Sequence, residues 1–327
     1  TVSTAEIPES KIYAFEAGKR AIEAHLKRVG LDGIVEDAEN LGFYRVSYPV
    51  KGEPLLSIII PNKDHIDDLK KCMKAIDERS TYRNFEYIIV ENNSEKEETF
   101  SYYKELEKRE NVTVLYWPDE FNYSLINNFG VEHAKGDYIL LLNNDTEMIN
   151  DDCLEQMLGY CQREDVGIVG ARLYYEDNTI QHAGVIVGFG GIAGHAFVTL
   201  NEDEGLYQSR TMVACDYSAV TAACMMVKKK VFDEVGGLEA KFRVAFNDVD
   251  FCMKVRQTGK LVVYVPQAML YHYESKSRGL EDTPEKQNRF SQEVALFAKR
   301  WPEILADGDP YYNVNLALDA ADFSIRV

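Results

Sequence analysis

Residues 138–147 read YILLLNNDTE. Tyr138 to Leu142 form an unbroken apolar-leaning run, and Asn143, Asn144 and Asp145 end it abruptly. A short continuous apolar run of this kind fits a strand buried on both faces, as in a parallel sheet. The polar residues then stand at its carboxyl end, the edge where open α/β sheets bind ligands.

The chain upstream repeats the pattern. Leu55 to Ile60 runs into Pro61, Asn62, Lys63 and Asp64, and 85–90 runs into Glu91, Asn92 and Asn93. A further strand is expected at 111–117. Helical spacing fills the intervals at 65–78, where Ile66, Leu69, Cys72, Met73 and Ile76 recur, and at 95–109 and 122–134. The order β-α-β-α-β-α-β predicts an α/β fold: a doubly wound, Rossmann-like, mostly parallel sheet flanked by helices. No G-x-G-x-x-G follows the first strand and there is no P-loop, so the dinucleotide fingerprint is excluded.

The second half is less regular. A strand is expected at 166–175. Residues 180–197, IQHAGVIVGFGGIAGHAF, are rich in glycine. They fit either a flexible substrate loop or strand bends and turns. A helix at about 228–235 precedes Gly236 and Gly237. In FRVAFNDVDFCMKVRQTGK (242–260) a helix is expected whose first turn holds Asp248 and Asp250. A strand at 261–266, a polar and aromatic loop or strand end at 271–279, and a final helix at 284–300 follow. Before the sheet, 11–29 has the periodicity of an amphipathic helix, and Pro49, Gly52 and Pro54 mark a boundary. The expected organisation is a small helical extension (1–54), a main domain (55–301) and a tail (302–327).

Composition narrows the function. The 327 residues are 46% hydrophobic, enough for a substantial core, and carry a net charge of −18. That charge opposes general binding of nucleic acid or anionic membranes, which needs clustered Lys and Arg. The six cysteines form no C-x-x-C pair and read as buried, reduced thiols. No apolar run approaches the length of a membrane span. The opening TVSTAEIPES lacks the pattern of a signal peptide, and a cut inside a longer protein is expected.

Polar clusters follow the apolar strands or open helices: PNKD (61–64), ENNS (91–94), NND (143–145) and ND-x-D (247–250), with a further one at His272. Amide and acidic groups suit the hydrogen bonds of a base and a ribose. Asp145 with His272 fits a hard divalent cation, Mg2+ or Mn2+, beside a diphosphate. Equally, Asp145 fits a helix cap, and His272 an aromatic stacked between Tyr271 and Tyr273. Asp248 fits a general base, or a carboxylate favoured at a helix start. Lys276 and Arg278 fit diphosphate contacts or solvated loop charge.

Taken together, SIIIPNKD, VENNS, the N-x-G at Asn128–Gly130, A-x-GDYILLLNND, GGL at 236–238, FNDVDFCMKVRQTG and YHYESKSRG resemble the family 2 glycosyltransferases of the GT-A fold. The resemblance spans about residues 55–300 and lies in the order and spacing of the motifs. EAGKRAIEAHLKRVG is similar to the segment preceding such domains in large bacterial polysaccharide-assembly enzymes. The resemblance implies that Pro61, Asn62, Asp64, Glu91 and Asn92 hold the nucleoside, with Asn127 or Asn128 adding contacts. The family's D-x-D falls on Asn143-Asn144-Asp145. This implies that Asp145 and His272 are the metal ligands and Asn143 a ribose contact, with Asn144 beside it. The family's Glu-Asp pair falls on Asn247-Asp248 and implies Asp248 as the base. Lys276 and Arg278 then face the diphosphate. Asn143 in place of an acid, and Glu91-Asn92 in place of an acidic pair, imply a lower metal affinity.

The implied reaction is inverting transfer of a hexose or deoxyhexose from a UDP- or dTDP-sugar to a glycan or lipid-linked glycan. The expected setting is bacterial surface-polysaccharide synthesis in the cytoplasm, at or away from the inner membrane face, alongside other domains of a longer polypeptide. A nucleotide-sugar binding or scaffold module is the alternative. A nucleotidyltransferase ranks last, because PNKDHIDD lacks the glycine- and basic-rich first loop that such an enzyme needs.

Overall fold

The computed structural model describes residues 12–201, 209–274 and 283–326. Helix α1 (Ile12–Val29) buries Leu26 and leaves Ile12 and Tyr13 exposed. It precedes an antiparallel hairpin of β1 (Ile34–Asp37) and β2 (Tyr44–Ser47). The run LGFYRVSYPV (41–50) predicts a short strand, which β2 fulfils, whereas Ile-Val-Glu-Asp is too short and polar to signal β1. The hairpin is tied to the main body where the Tyr160 hydroxyl donates to the Val46 carbonyl, 2.5 Å away.

The main sheet begins with β3 (Leu56–Asn62), α2 (Ile66–Arg79), β4 (Phe85–Glu91), α3 (Glu97–Leu106), β5 (Val112–Tyr116), α4 (Tyr123–Glu132) and β6 (Tyr138–Leu142). β3 pairs in parallel with β4 on one side and β6 on the other, and β4 pairs in parallel with β5. The strand order therefore reverses between β3 and β6, which opens a crevice at their carboxyl ends. Residues alternate between two buried faces. Ile59, Ile88, Val90, Ile139 and Leu141 pack into one core, and Ile58, Ile60, Ile89, Leu140 and Leu142 into the other. That is why these strands read as continuous apolar runs rather than alternating ones. Gly130 seats α4 on the sheet, since a Cβ there would lie 2.5 Å from Ile59 Cγ2.

The remaining elements are β7 (Thr146–Met148), α5 (Cys153–Cys161), β8 (Val166–Tyr174), β9 (Ile180–His182), β10 (Val185–Val187), β11 (Ala193–His195), β12 (Cys215–Asp216), β13 (Cys224–Lys228), α6 (Lys229–Glu234), α7 (Asn247–Gln257), β14 (Leu261–His272), α8 (Pro284–Arg300) and α9 (Pro302–Asp307). β13 runs antiparallel between β6 and β8, and β14 runs parallel to β8. The sheet is thus mixed but mostly parallel, in the order β12-β14-β8-β13-β6-β3-β4-β5. The glycine-rich segment 180–197 forms short strands and turns. Gly184, Gly188, Gly190 and Gly191 take positive φ there, which accounts for them as bends.

β14 is longer than its apolar run suggests. Pro266 sits at a break in register between Val265 and Met269, the kind of irregularity that tolerates proline. Beyond the break, Leu270, Tyr271 and His272 also pair antiparallel with β7. The strand end is thereby carried to the end of β6.

The tail is part of this body. Tyr312, Leu316 and Phe323 are buried in the same core as α4 and α7. The Asp309 carboxylate accepts from Val187 N (2.8 Å), Ser218 Oγ (2.8 Å) and Tyr311 N (2.9 Å). Phe197 stacks on Phe323 with centroids 4.5 Å apart. Replacing Asp309 with Ala strands buried donors, so it should lower the unfolding free energy by about 3 kcal/mol in a urea titration. A loss below about 1 kcal/mol would show that the tail is not anchored there.

Candidate active site

The order of the strands lays out a cavity of about 760 Å³ along their common edge. Asn92 stands at the end of β4, Pro61 and Asn62 at the end of β3, and Asn143, Asn144 and Asp145 at the end of β6. Thr221, Ala222 and Ala223 lead into β13, whose start lies opposite the end of β6. Tyr175 follows β8, and Gln181 and His195 come from β9 and β11. Asp248 enters from the first turn of α7, and His272 and Glu274 from the end of β14.

Asp145 and His272 meet at the middle. Asp145 Oδ1 lies 3.2 Å from His272 Nε2, and both side chains are about nine-tenths buried, at 8% and 10% exposure. The imidazole is oriented from behind. Gln181 Nε2 donates to Glu274 Oε2 (3.1 Å), which turns Gln181 Oε1 to His272 Nδ1 (2.9 Å). An amide oxygen can only accept, so Nδ1 carries a proton, and in the neutral ring Nε2 presents its lone pair. Asn143 Nδ2, at 3.1 Å, is placed to donate to that same Nε2.

Asp248 lies on the wall with both oxygens engaged by the backbone. Oδ2 accepts from Ala222 N (3.2 Å) and Oδ1 from Val249 N (2.8 Å). The two bonds fix the carboxylate's direction. The Ala222 peptide is held from its other side by the Tyr123 hydroxyl, which donates to Ala222 O (2.9 Å). Burial pushes the Tyr123 phenol up, so it stays a neutral donor. Asp250, one turn position further, points away. It accepts from Trp301 Nε1 (2.9 Å) and forms an ion pair with Arg300, whose Nε lies 2.7 Å away.

Several residues expected at the ligand are engaged inside the protein instead. The Asp64 carboxylate accepts from Glu95 N, Lys96 N and Thr99 Oγ1, closing the first turn of α3. Partial burial opposes its charge, but these donors hold its carboxyl below the usual range. Glu91 accepts from Ser94 N, Ser94 Oγ and the Tyr103 hydroxyl at 2.5–2.7 Å. Asn127 is fully buried in α4, where its Nδ2 donates to Tyr123 O (2.8 Å). Asn128 clamps the GGL turn, donating to Leu238 O (2.8 Å) and accepting from Leu238 N (2.9 Å). Gly237 in that turn has φ +64, and a Cβ would lie 2.7 Å from Asn128 Oδ1.

Asn62 and Asn144 reach the cavity but also bond one another, Asn144 Nδ2 to Asn62 Oδ1 at 2.6 Å. Asn62 Nδ2 donates on to the Tyr103 hydroxyl (2.7 Å). A buried chain of hydrogen bonds thus runs from Asn144 to Glu91 and stiffens the floor. Lys276 and Arg278 lie outside the described residues. Gln181, His195, Tyr123 and Thr221 were not singled out in the sequence. The glycine-rich stretch flagged the segment carrying the first two without pointing to either side chain.

Comparisons with known proteins identify the family and the fold. Residues 57–236 match the model of "Glycosyl transferase family 2". The chain is 45% identical over 324 residues to protein y4gI of Sinorhizobium fredii, covering 98% of this chain and 36% of that protein. It is 37% identical over 315 residues to the "O-antigen biosynthesis protein RfbC" of Myxococcus xanthus, covering 96% of this chain and 24% of that one. It therefore spans about a third and a quarter of these relatives' lengths. A solved structure of GalNAc-T7 with UDP, GalNAc and Mn2+ superposes with a TM-score of 0.61 at 14% identity, over 79% of this chain and 50% of that one. That likeness is one of fold. With the family model matching more than half of its length, the chain belongs to glycosyl transferase family 2, built on the GT-A fold.

Proposed function

We propose that this chain is an inverting, metal-dependent glycosyltransferase domain. It moves a hexose or deoxyhexose from a nucleoside-diphosphate sugar, UDP- or dTDP-linked, to a glycan or lipid-linked glycan acceptor. Bacterial surface-polysaccharide assembly on the cytoplasmic side is the proposed setting, with other domains of a longer polypeptide as neighbours. The relationship to the O-antigen protein supports that setting. Among the described residues, no helix is long and apolar enough to cross a membrane. The observation that carries the reading is convergence: Asp145, His272 and Asp248, distant in sequence, line one cavity with Asn62, Asn92 and Asn143.

The donor set fits a divalent cation. A carboxylate oxygen and an imidazole lone pair face each other at 3.2 Å, and a cation satisfies both. Among the described residues no group of three or more His, Cys, Asp and Glu gathers around a point. Asp145 and His272 would therefore hold Mg2+ or Mn2+ together with diphosphate oxygens. The cation supplies charge neutralisation of the diphosphate.

This chain's own residues supply the rest. Asn62, Asn92 and Asn143 bind the nucleoside end, with Pro61 and Asn144 on the same wall. Asp248 accepts the proton of the acceptor hydroxyl as its oxygen bonds to the anomeric carbon and the bond to the diphosphate breaks. A single displacement inverts that carbon. The binding-module reading keeps one observation in its favour, Asn143 in place of an acid, and the same assay separates the two.

Asp248→Asn should lower transfer at least about 100-fold while nucleoside diphosphate affinity, read by calorimetry, stays near wild type. Activity close to wild type would remove Asp248 from the base role. A wild-type chain that binds sugar nucleotides but turns over none with Mn2+ supports the binding module. Gln181→Leu releases His272, and should weaken the apparent affinity for Mn2+ in nucleotide binding about 10-fold or more. An unchanged Mn2+ titration in a folded variant contradicts the orienting role of Gln181.

A further inference from the structure

Segment 180–198 is the part of the cavity wall that the chemistry above uses only for orienting His272. It contributes Gln181, His195 and Val198 to the lining. His195 Nδ1 lies 2.8 Å from the carbonyl oxygen of Gln181. A carbonyl only accepts, so Nδ1 carries a proton, and in the neutral ring Nε2 keeps its lone pair. Among the described residues no hydrogen bond to that Nε2 is found.

The ring is held in place from behind. The fully buried His182 packs edge-on against it, with centroids 4.9 Å apart at 75°. Burial holds His182 well below the usual histidine range, so this backing ring is neutral. His195 also pairs with Val185 across the β10–β11 hairpin. The tail braces that hairpin through Asp309 to Val187 N, and through Ala321 O, which accepts from Phe197 N at 2.7 Å. The Nε2 lone pair is therefore a preorganised acceptor on the wall.

Its place along the edge matters. Asn92 and Asn62 lie at the ends of β4 and β3, and Asp145 at the end of β6. β9 pairs with β8, beyond β13 on the other flank of Asp145. A nucleoside-diphosphate sugar is a linear ligand. With the nucleoside at β3 and β4 and the diphosphate at Asp145 and His272, its sugar falls on the β13–β8 flank. Gln181 links the two imidazoles, holding His272 through its side chain and His195 through its carbonyl. His195 thus stands next to the diphosphate site on the sugar's side.

We propose that His195 is a specificity-determining residue for the donor: its Nε2 accepts a hydrogen bond from a hydroxyl of the sugar carried on the diphosphate. The proposal rests on the transferase reading above. It makes the site selective for a sugar with a hydroxyl at that position, because a site built to bond a hydroxyl rejects an analogue lacking it.

The test is calorimetry with Mn2+ on wild type, His195→Ala and His195→Gln. The probes are UDP, dTDP and GDP and the glucose, galactose, mannose and rhamnose nucleotides built on them. His195→Ala should weaken the preferred sugar nucleotide by about 5- to 10-fold and leave its parent diphosphate unchanged. His195→Gln, which retains an acceptor, should fall between Ala and wild type. If both ligands weaken equally, or neither does, the proposal is overturned while the transferase reading stands. If wild type binds no nucleoside diphosphate at all, both fall.

Discussion

Strand β14 gains a second partner part-way along its length, and the cavity depends on that gain. It is a parallel neighbour of β8 on both sides of the break at Pro266, and past the break its end also lies against β7. The backbone ladder from Leu270 to His272 fixes the imidazole over the end of β6, 3.2 Å from Asp145. Tyr273 N then donates to Asp145 O at 2.9 Å, joining the two ends directly. In the order of the sheet β8 and β13 separate β14 from β6, and it is β7, following Asp145 directly, that brings the end of β14 to it. A proline in a strand interior is normally a liability; here it sits where the sheet must fold over its own edge.

The charge of the site follows from its ends. Asp145, Asp248 and Glu274 line the cavity, and among its described lining residues Lys63 is the one with a permanent positive charge. An anionic ligand entering a protein of net charge −18 meets unfavourable potential unless a cation accompanies it. The backbone donors on Asp248 and the Gln181–His272 bond both fix direction: one aims a carboxylate, the other a lone pair. Neither depends on the ligand being present, which is the sense in which the site is preorganised.

Much of this was legible in the sequence. Runs such as 56–60 and 138–142 lie in the sheet interior with both faces covered, so burial left an uninterrupted apolar signature. The polar ends of those runs line one cavity, because strand direction fixes which end carries them. The choice among polar residues was less legible. Asp64 and Asn128 cap and clamp turns with the same atoms that would bond a ribose, and local sequence cannot distinguish the two uses. Gln181 and His272 are 91 positions apart, so their bond had no local signal. The tail gave little signal because its few aromatics follow no period; they fill gaps against Phe189 and Phe197.

The central claim is that the carboxylate ending β6 holds a cation for a nucleoside diphosphate. The most direct measurement is calorimetric binding of UDP, dTDP and GDP to wild type and Asp145→Ala, each with Mn2+ and with the metal chelated. Wild type should bind one of them in a Mn2+-dependent manner, and the variant, folded by circular dichroism, should lose that dependence and most of the affinity. Equal binding by the two proteins with Mn2+, or wild-type binding indifferent to chelation, would contradict the claim.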